Sequence, residues 1–183
     1  PALRAQVMDP AAKPLTMEEL ARLGLGVRSS LQDDPQNVND WLMLGRIGMV
    51  LNNADTATKA FQRAMQLAPN NPEVKLSYAD VLTRSPDPED NRQAGVMLNE
   101  MIKADGDNLR VLSLLAFNAF SQQHYPEAIA VWQKMLQLLP ADDKRVVMIQ
   151  RSIEQAKTES GKQNSHLALS VTLAPGAEKM LPA

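Results

Sequence analysis

Residues 39–71, NDWLMLGRIGMVLNNADTATKAFQRAMQLAPNN, carry a spacing that returns further along the chain. With Val38 as the first place of a unit, Trp41 takes the fourth place and Leu44 and Gly45 the seventh and eighth. Ala57 then falls at the twentieth, Phe61 at the twenty-fourth, Ala64 at the twenty-seventh and Pro69 at the thirty-second. Counting again from Leu109, the same places hold Leu112, Leu115 and Ala116, followed by Ala128, Trp132, Met135 and Pro140. A period of 34 residues with two helical stripes per copy describes a helix–turn–helix that buries its apolar face only by stacking on its neighbours.

This spacing resembles the tetratricopeptide repeat. The resemblance implies an all-α helix–turn–helix solenoid of three repeats, 38–71, 72–108 and 109–142, with a flanking helix at each end. The middle repeat, with Tyr78, Ala79 and Leu82 and then Ala94, Leu98 and Met101, has 37 residues where its neighbours have 34. Its segment TRSPDPEDNRQ, with two prolines among acidic and polar residues, predicts a lengthened loop between the two helices. Gly45, Ala57, Ala79, Ala116 and Ala128 stand where paired helices come closest, and Trp41, Phe61 and Trp132 fill the space beside them. Pro69 and Pro140 end the second helices, which rarely continue through proline.

The flanks complete the array. In LTMEELARLGLGVRSSLQDDPQN, Thr16 and Glu19 form a capping-box pattern ahead of an apolar stripe, which predicts a lone helix before the first repeat. In DDKRVVMIQRSIEQAKTE, Val146, Ile149 and Ile153 share one face, which predicts a solvating cap helix over 143–160. The repeat domain is thus expected over 15–160, and residues 1–14, with three prolines and no periodicity, read as a flexible linker. In the tail, 161–183, Leu167, Leu169, Val171 and Leu173 alternate with Ala168, Ser170 and Thr172. That two-residue period predicts a C-terminal β-like tail, the start of a β-rich domain continuing past this sequence. The chain begins at Pro1 and is read as a fragment of a longer protein.

Composition removes several function classes. The net charge is −2 with no basic block, so no nucleic-acid partner is expected. Without cysteine there is no disulfide framework, thiolate metal site or CxxCH haem attachment. His124 and His166 are far apart and lack ligand partners at metal spacing, and no metal or other cofactor is expected. The carboxylates of QDDP, DPED and ADD fall at helix ends and in loops, where capping and solvation account for them. With no phosphate loop, nucleophile elbow or activated nucleophile in view, the chain is not expected to be an enzyme. No apolar run approaches the ~20 residues of a membrane span. Most of the ten methionines, Met43 and Met135 among them, fall on core stripes.

Binding is the remaining class. In a tetratricopeptide stack the first helix of each repeat lines a concave groove, through its second, fifth, ninth and twelfth places. Here these are Asn39, Leu42, Arg46 and Met49, then Glu73, Leu76, Asp80 and Thr83, then Arg110, Ser113, Phe117 and Phe120. Leu42, Met49, Leu76, Phe117 and Phe120 are expected to form an apolar floor, having no core to enter, with Arg46, Arg110, Glu73 and Asp80 around it. Such a floor suits an amphipathic helix. It departs from the Lys and Asn clamp by which chaperone-binding members hold a terminal carboxylate, since Leu42 and Arg46 occupy those places. Phe117 and Phe120 also admit the alternative of packing against a neighbouring helix.

Within the repeat class, residues 15–160 resemble the tetratricopeptide region of the bacterial c-type cytochrome biogenesis factors CcmI/CycH, fused within CcmH in some bacteria. The marks are the extended SYADVLTRSPDPEDNRQAGVMLNEMIKAD unit, the HYPEAIAVWQKMLQLLP helix and the IQRSIEQAK cap. The resemblance implies a periplasmic protein-binding module, membrane-anchored through segments outside this sequence. It would hold apocytochrome c, chiefly by its C-terminal amphipathic helix, for haem attachment alongside other haem-lyase components. A related tetratricopeptide subunit of a nitrite-reductase-cytochrome haem lyase, NrfG, has the same architecture, and a generic scaffold joining two folded proteins is a third reading.

Overall fold

The computed structural model describes residues 2–8 and 12–173. Among them the chain forms nine α-helices in this order: α1 (Ala2–Met8), α2 (Met17–Asp33), α3 (Val38–Val50), α4 (Ala54–Leu67), α5 (Pro72–Thr83), α6 (Pro88–Ala104), α7 (Leu109–Ser121), α8 (Tyr125–Leu138) and α9 (Lys144–Leu173). The all-α class is as expected, and no strand occurs among the described residues. Between Met97 and Leu98, inside α6, the chain divides into two compact units. No helix among the described residues is long and apolar enough to cross a membrane.

In the first unit the packing follows the small residues. A Cβ on Gly45 would lie 2.4 Å from the Phe61 ring, and one on Gly48 would lie 2.8 Å from the Ala57 backbone nitrogen. Gly45 therefore makes room for the Phe61 ring, Gly48 lets α3 come into contact with the α4 backbone, and Ala57, Ala60 and Ala64 are buried on α4. On the other side of α3, Leu44 and Ile47 join Leu23, Val27 and Leu31 of α2 in a second cluster, onto which Leu3 of α1 packs. The Thr16–Glu19 capping box forms as expected, with the Glu19 N–H donating to Thr16 Oγ1 at 3.2 Å and the Thr16 N–H to Glu19 Oε2 at 2.8 Å.

The turn between α3 and α4 is fixed by its hydrogen bonds. Asn52 takes φ 53°, in the left-handed region where asparagine is among the better tolerated residues. The Asn52 and Asn53 N–H groups donate back to the carbonyls of Met49 and Gly48, the paired bonds of a Schellman stop. Asn53 Oδ1 then accepts from the Thr56 N–H at 3.0 Å and so caps α4. In the second unit the α7–α8 turn repeats the stop, with Gln123 at φ 63° and its N–H and that of His124 donating to Phe120 and Ala119. His124, however, makes no side-chain cap to α8. That unit is organised by Leu112, Ala116, Ala128, Trp132 and Met135, closed by Ile149, Ile153 and Ala156 of α9.

Three sequence expectations are corrected. The extra length of the middle repeat goes into its second helix: α6 has 17 residues against 14 in α4 and in α8. The polar residues expected to form a loop instead cap. Asp87 Oδ1 accepts from the Glu89 N–H at 2.9 Å, and the Asn91 side-chain amide donates to the carbonyls of Leu82, Thr83 and Ser85 that end α5. Residues 2–8, read as linker, form α1, tied back by Gln6 Nε2 donating to the Lys13 carbonyl at 2.7 Å. The β-like tail is helical as far as Leu173: α9 runs on past 160, where Ser165 Oγ donates to the Gly161 carbonyl at 3.0 Å. Alternating apolar residues do not override a helix that is already propagating. The remainder of the expected tail, 174–183, lies outside the described residues.

Candidate functional site

Two asparagine caps start the helices that frame the site. Asn37 Oδ1 accepts from the Asp40 N–H at 3.1 Å at the head of α3. Asn71 Oδ1 accepts from the N–H groups of Glu73 and Val74 at 2.9 and 3.3 Å at the head of α5. Across the gap Arg46 Nη2 and Glu73 Oε1 form an ion pair at 2.6 Å. Both side chains are well exposed, so the pair fixes geometry more than it adds stability. Beside it opens a pocket of about 520 Å³, within the range of small-ligand clefts. Leu20, Leu42, Met43 and Ile47 give it an apolar floor, and Arg4, Asn39, Asp40, Arg46, Asn71 and Glu73 give it a polar rim.

Of the residues expected to line a groove, Asn39, Leu42, Arg46 and Glu73 meet here. Leu42 corrects the expectation that such residues have no core to enter. It is 6% exposed and belongs to the cluster of Phe61, Val74 and Val81. The reason is crowding: α3 packs against α2, α4 and α5, which leaves uncovered a strip carrying Asn39, Arg46 and Val50. Met49 is half-buried against the same cluster and faces a separate hollow with Asn53 and Arg84. Further along α5, Leu76 is half-buried, Thr83 is buried, and Asp80 pairs with Arg84 at 2.8 Å.

The candidates of the second unit separate into two kinds. Arg110, Ser113 and Phe117 are exposed on α7, Phe117 with 40% of its surface in solvent. Phe120 is half-buried, its ring 5.4 Å from that of Tyr125 and 5.8 Å from that of Trp132. It is a packing residue, the alternative its spacing had left open.

The sequence reading missed the most unusual group at the pocket. Asp40 is 2% exposed and forms an ion pair through Oδ1 with Arg4 Nη1 of α1 at 2.9 Å. Its Oδ2 is buried without a hydrogen-bond partner. An acidic residue in a helix's first turn is ordinary in sequence, so nothing there marked it, and its partner sat in a segment read as linker.

The profile of the family described as cytochrome c-type biogenesis protein H TPR domain matches residues 1–146. The chain belongs to this family. It is 50% identical over 165 residues to the cytochrome c-type biogenesis protein CcmH of Escherichia coli K12, covering 90% of this chain and 47% of that protein. The chain thus spans about half the length of this relative. It is also 29% identical over 131 residues to the formate-dependent nitrite reductase complex subunit NrfG of Escherichia coli O157:H7, covering 72% of this chain and 66% of that protein. Among solved structures, yeast Tom70 superposes with a TM-score of 0.59 at 17% identity, over 97% of this chain and 37% of that chain, a likeness of fold alone. The family match begins at residue 1, so α1 and Arg4 belong to the domain as the family defines it.

Proposed function

We propose that the chain is a non-catalytic, protein-binding module of c-type cytochrome maturation. It holds an apocytochrome c polypeptide by an amphipathic helix, chiefly the C-terminal one, while haem is attached. The observation that carries this reading is the pocket beside α3, whose apolar floor and ion-paired rim match a helix with one apolar and one charged face. Family membership supports the pathway, and the higher identity to CcmH than to NrfG favours general maturation over a nitrite-reductase-specific client. On this reading the module works on the periplasmic side of the membrane beside other haem-lyase components.

Isothermal titration of the chain with a peptide from an apocytochrome c C-terminus tests the proposal. Binding in the micromolar range is expected. Arg46→Glu, which places two acids at the rim where Arg46 and Glu73 now pair, is expected to weaken it at least tenfold with circular dichroism unchanged. Phe117→Glu gives a second, independent variant on the second unit, where that side chain is 40% exposed. Absence of binding by the unsubstituted chain at high micromolar peptide overturns the assignment.

A further inference from the structure

Asp40 and Arg4 form an asymmetric pair. The Asp40 side chain is 3% exposed, while the Arg4 side chain reaching it is 39% exposed and belongs to a seven-residue helix. A helix of that length is not stable by itself. Leu3 against the α2–α3 cluster and the Gln6–Lys13 bond hold it in place. The pair is also incomplete, since Arg4 engages Oδ1 while Oδ2 remains buried and unpartnered. A buried acceptor left without a donor is costly, and a guanidinium presented as a fork satisfies both carboxylate oxygens at once. Asp40 and Arg4 both line the pocket whose floor is Leu42, Met43 and Ile47.

We propose that this pocket is a seat for one basic side chain, preferably arginine, of an amphipathic client helix. Arg4 is its resident occupant, which the client displaces. The occupant class follows from charge: a buried carboxylate with an unpartnered oxygen selects a cation, and the apolar floor beside it receives the stem and neighbouring apolar residues of the same helix. Displacement makes α1 a built-in competitor. Client affinity is lowered by the fraction of molecules in which Arg4 is seated, and the competition discriminates against segments whose cation cannot reach Asp40. The proposal rests on the helix-holding reading above for the identity of the client, and not for the chemistry of the seat.

The test uses the full chain and its Arg4→Ala and Asp40→Asn variants, with an apocytochrome c C-terminal peptide carrying arginine or, at the same positions, its neutral isostere citrulline. Arg4→Ala is expected to bind the arginine peptide more tightly than the unsubstituted chain, by about tenfold for an Arg4 occupancy of about nine-tenths. The citrulline peptide is expected to gain nothing, and Asp40→Asn to lose the preference for arginine. Equal binding of the two peptides by Arg4→Ala overturns the proposal. Should neither peptide bind any variant, the client reading fails, and N-acetyl-argininamide decides the seat by itself. Saturable amide shifts at Asn39 and Asp40 in the Arg4→Ala chain, absent with the citrulline amide and in Arg4→Ala/Asp40→Asn, support the seat. Their absence refutes it.

Discussion

Replacing Gly48 by alanine adds one methyl group at the place where α3 and α4 are in backbone contact. The new Cβ would lie 2.8 Å from the Ala57 nitrogen and 3.1 Å from its Cα, and neither can rotate away as a side chain can. Helix propensity alone favours the change by about 1 kcal/mol. Overpacking of this kind costs about 1–3 kcal/mol, and a backbone obstacle places Gly48 toward the upper end of that range. The expected net effect is therefore a loss of about 1–2 kcal/mol. Gly26, exposed in α2 with nothing within 4 Å of its added Cβ, supplies the control. There the propensity gain stands unopposed, and Gly26→Ala is expected to stabilise by up to about 1 kcal/mol. Trp41 reports on the first unit and Trp132 on the second, so urea unfolding is best followed by Trp41 fluorescence in a Trp132→Phe background. Opposite signs for the same chemical substitution are the expected result. A Gly48→Ala chain as stable as the parent, or as much stabilised as Gly26→Ala, would refute the close α3–α4 contact. Because α3 also carries Asn39, Asp40 and Arg46, a forced separation should disturb the pocket as well as the core.

Two further predictions concern the second unit. His124 occupies the N-cap of α8 without a side-chain cap bond, whereas Asn53 caps the equivalent α4, so His124→Asn is expected to raise stability by about 1 kcal/mol, read by urea unfolding followed through Trp132 in a Trp41→Phe background. The Asp143 carboxyl is held down to about 2 from its ordinary 3.8, by hydrogen bonds from the Arg145 guanidinium and then from the Arg145 N–H. A depressed carboxyl favours the folded chain above its unfolded pKa, so this contribution is lost as pH falls from about 4 towards 2. Side-chain carboxyl NMR should show the low value, and Arg145→Gln should raise it.

The division between what could and could not be read in the sequence follows the range of the interactions involved. Gly45, Ala57 and Phe61 announce their contact because a repeat imposes the same close approach in each copy, and periodicity averages out local accidents. The capping box at Thr16 is legible because it is closed within four residues. Asp87 and Asn91 misled for the opposite reason. Polar residues that cap a helix and polar residues that form a loop have the same composition, and only the carbonyls they reach distinguish them. The tail misled because a two-residue period measures which side chains could share a sheet face. It says nothing of whether a partner strand exists, and a helix extended from α9 needs none. Leu42 shows the limit for the site itself. The repeat places it on the groove face of α3, yet how much of that face stays open depends on how closely α4 and α5 pack, a property of three helices together. Asp40 lies furthest from any sequence signal. Its burial comes from tertiary packing and its partner lies 36 positions away, in a segment with no periodicity to mark it. Residues that serve the repeat are therefore written with its period, whereas the group proposed to read a client is written once.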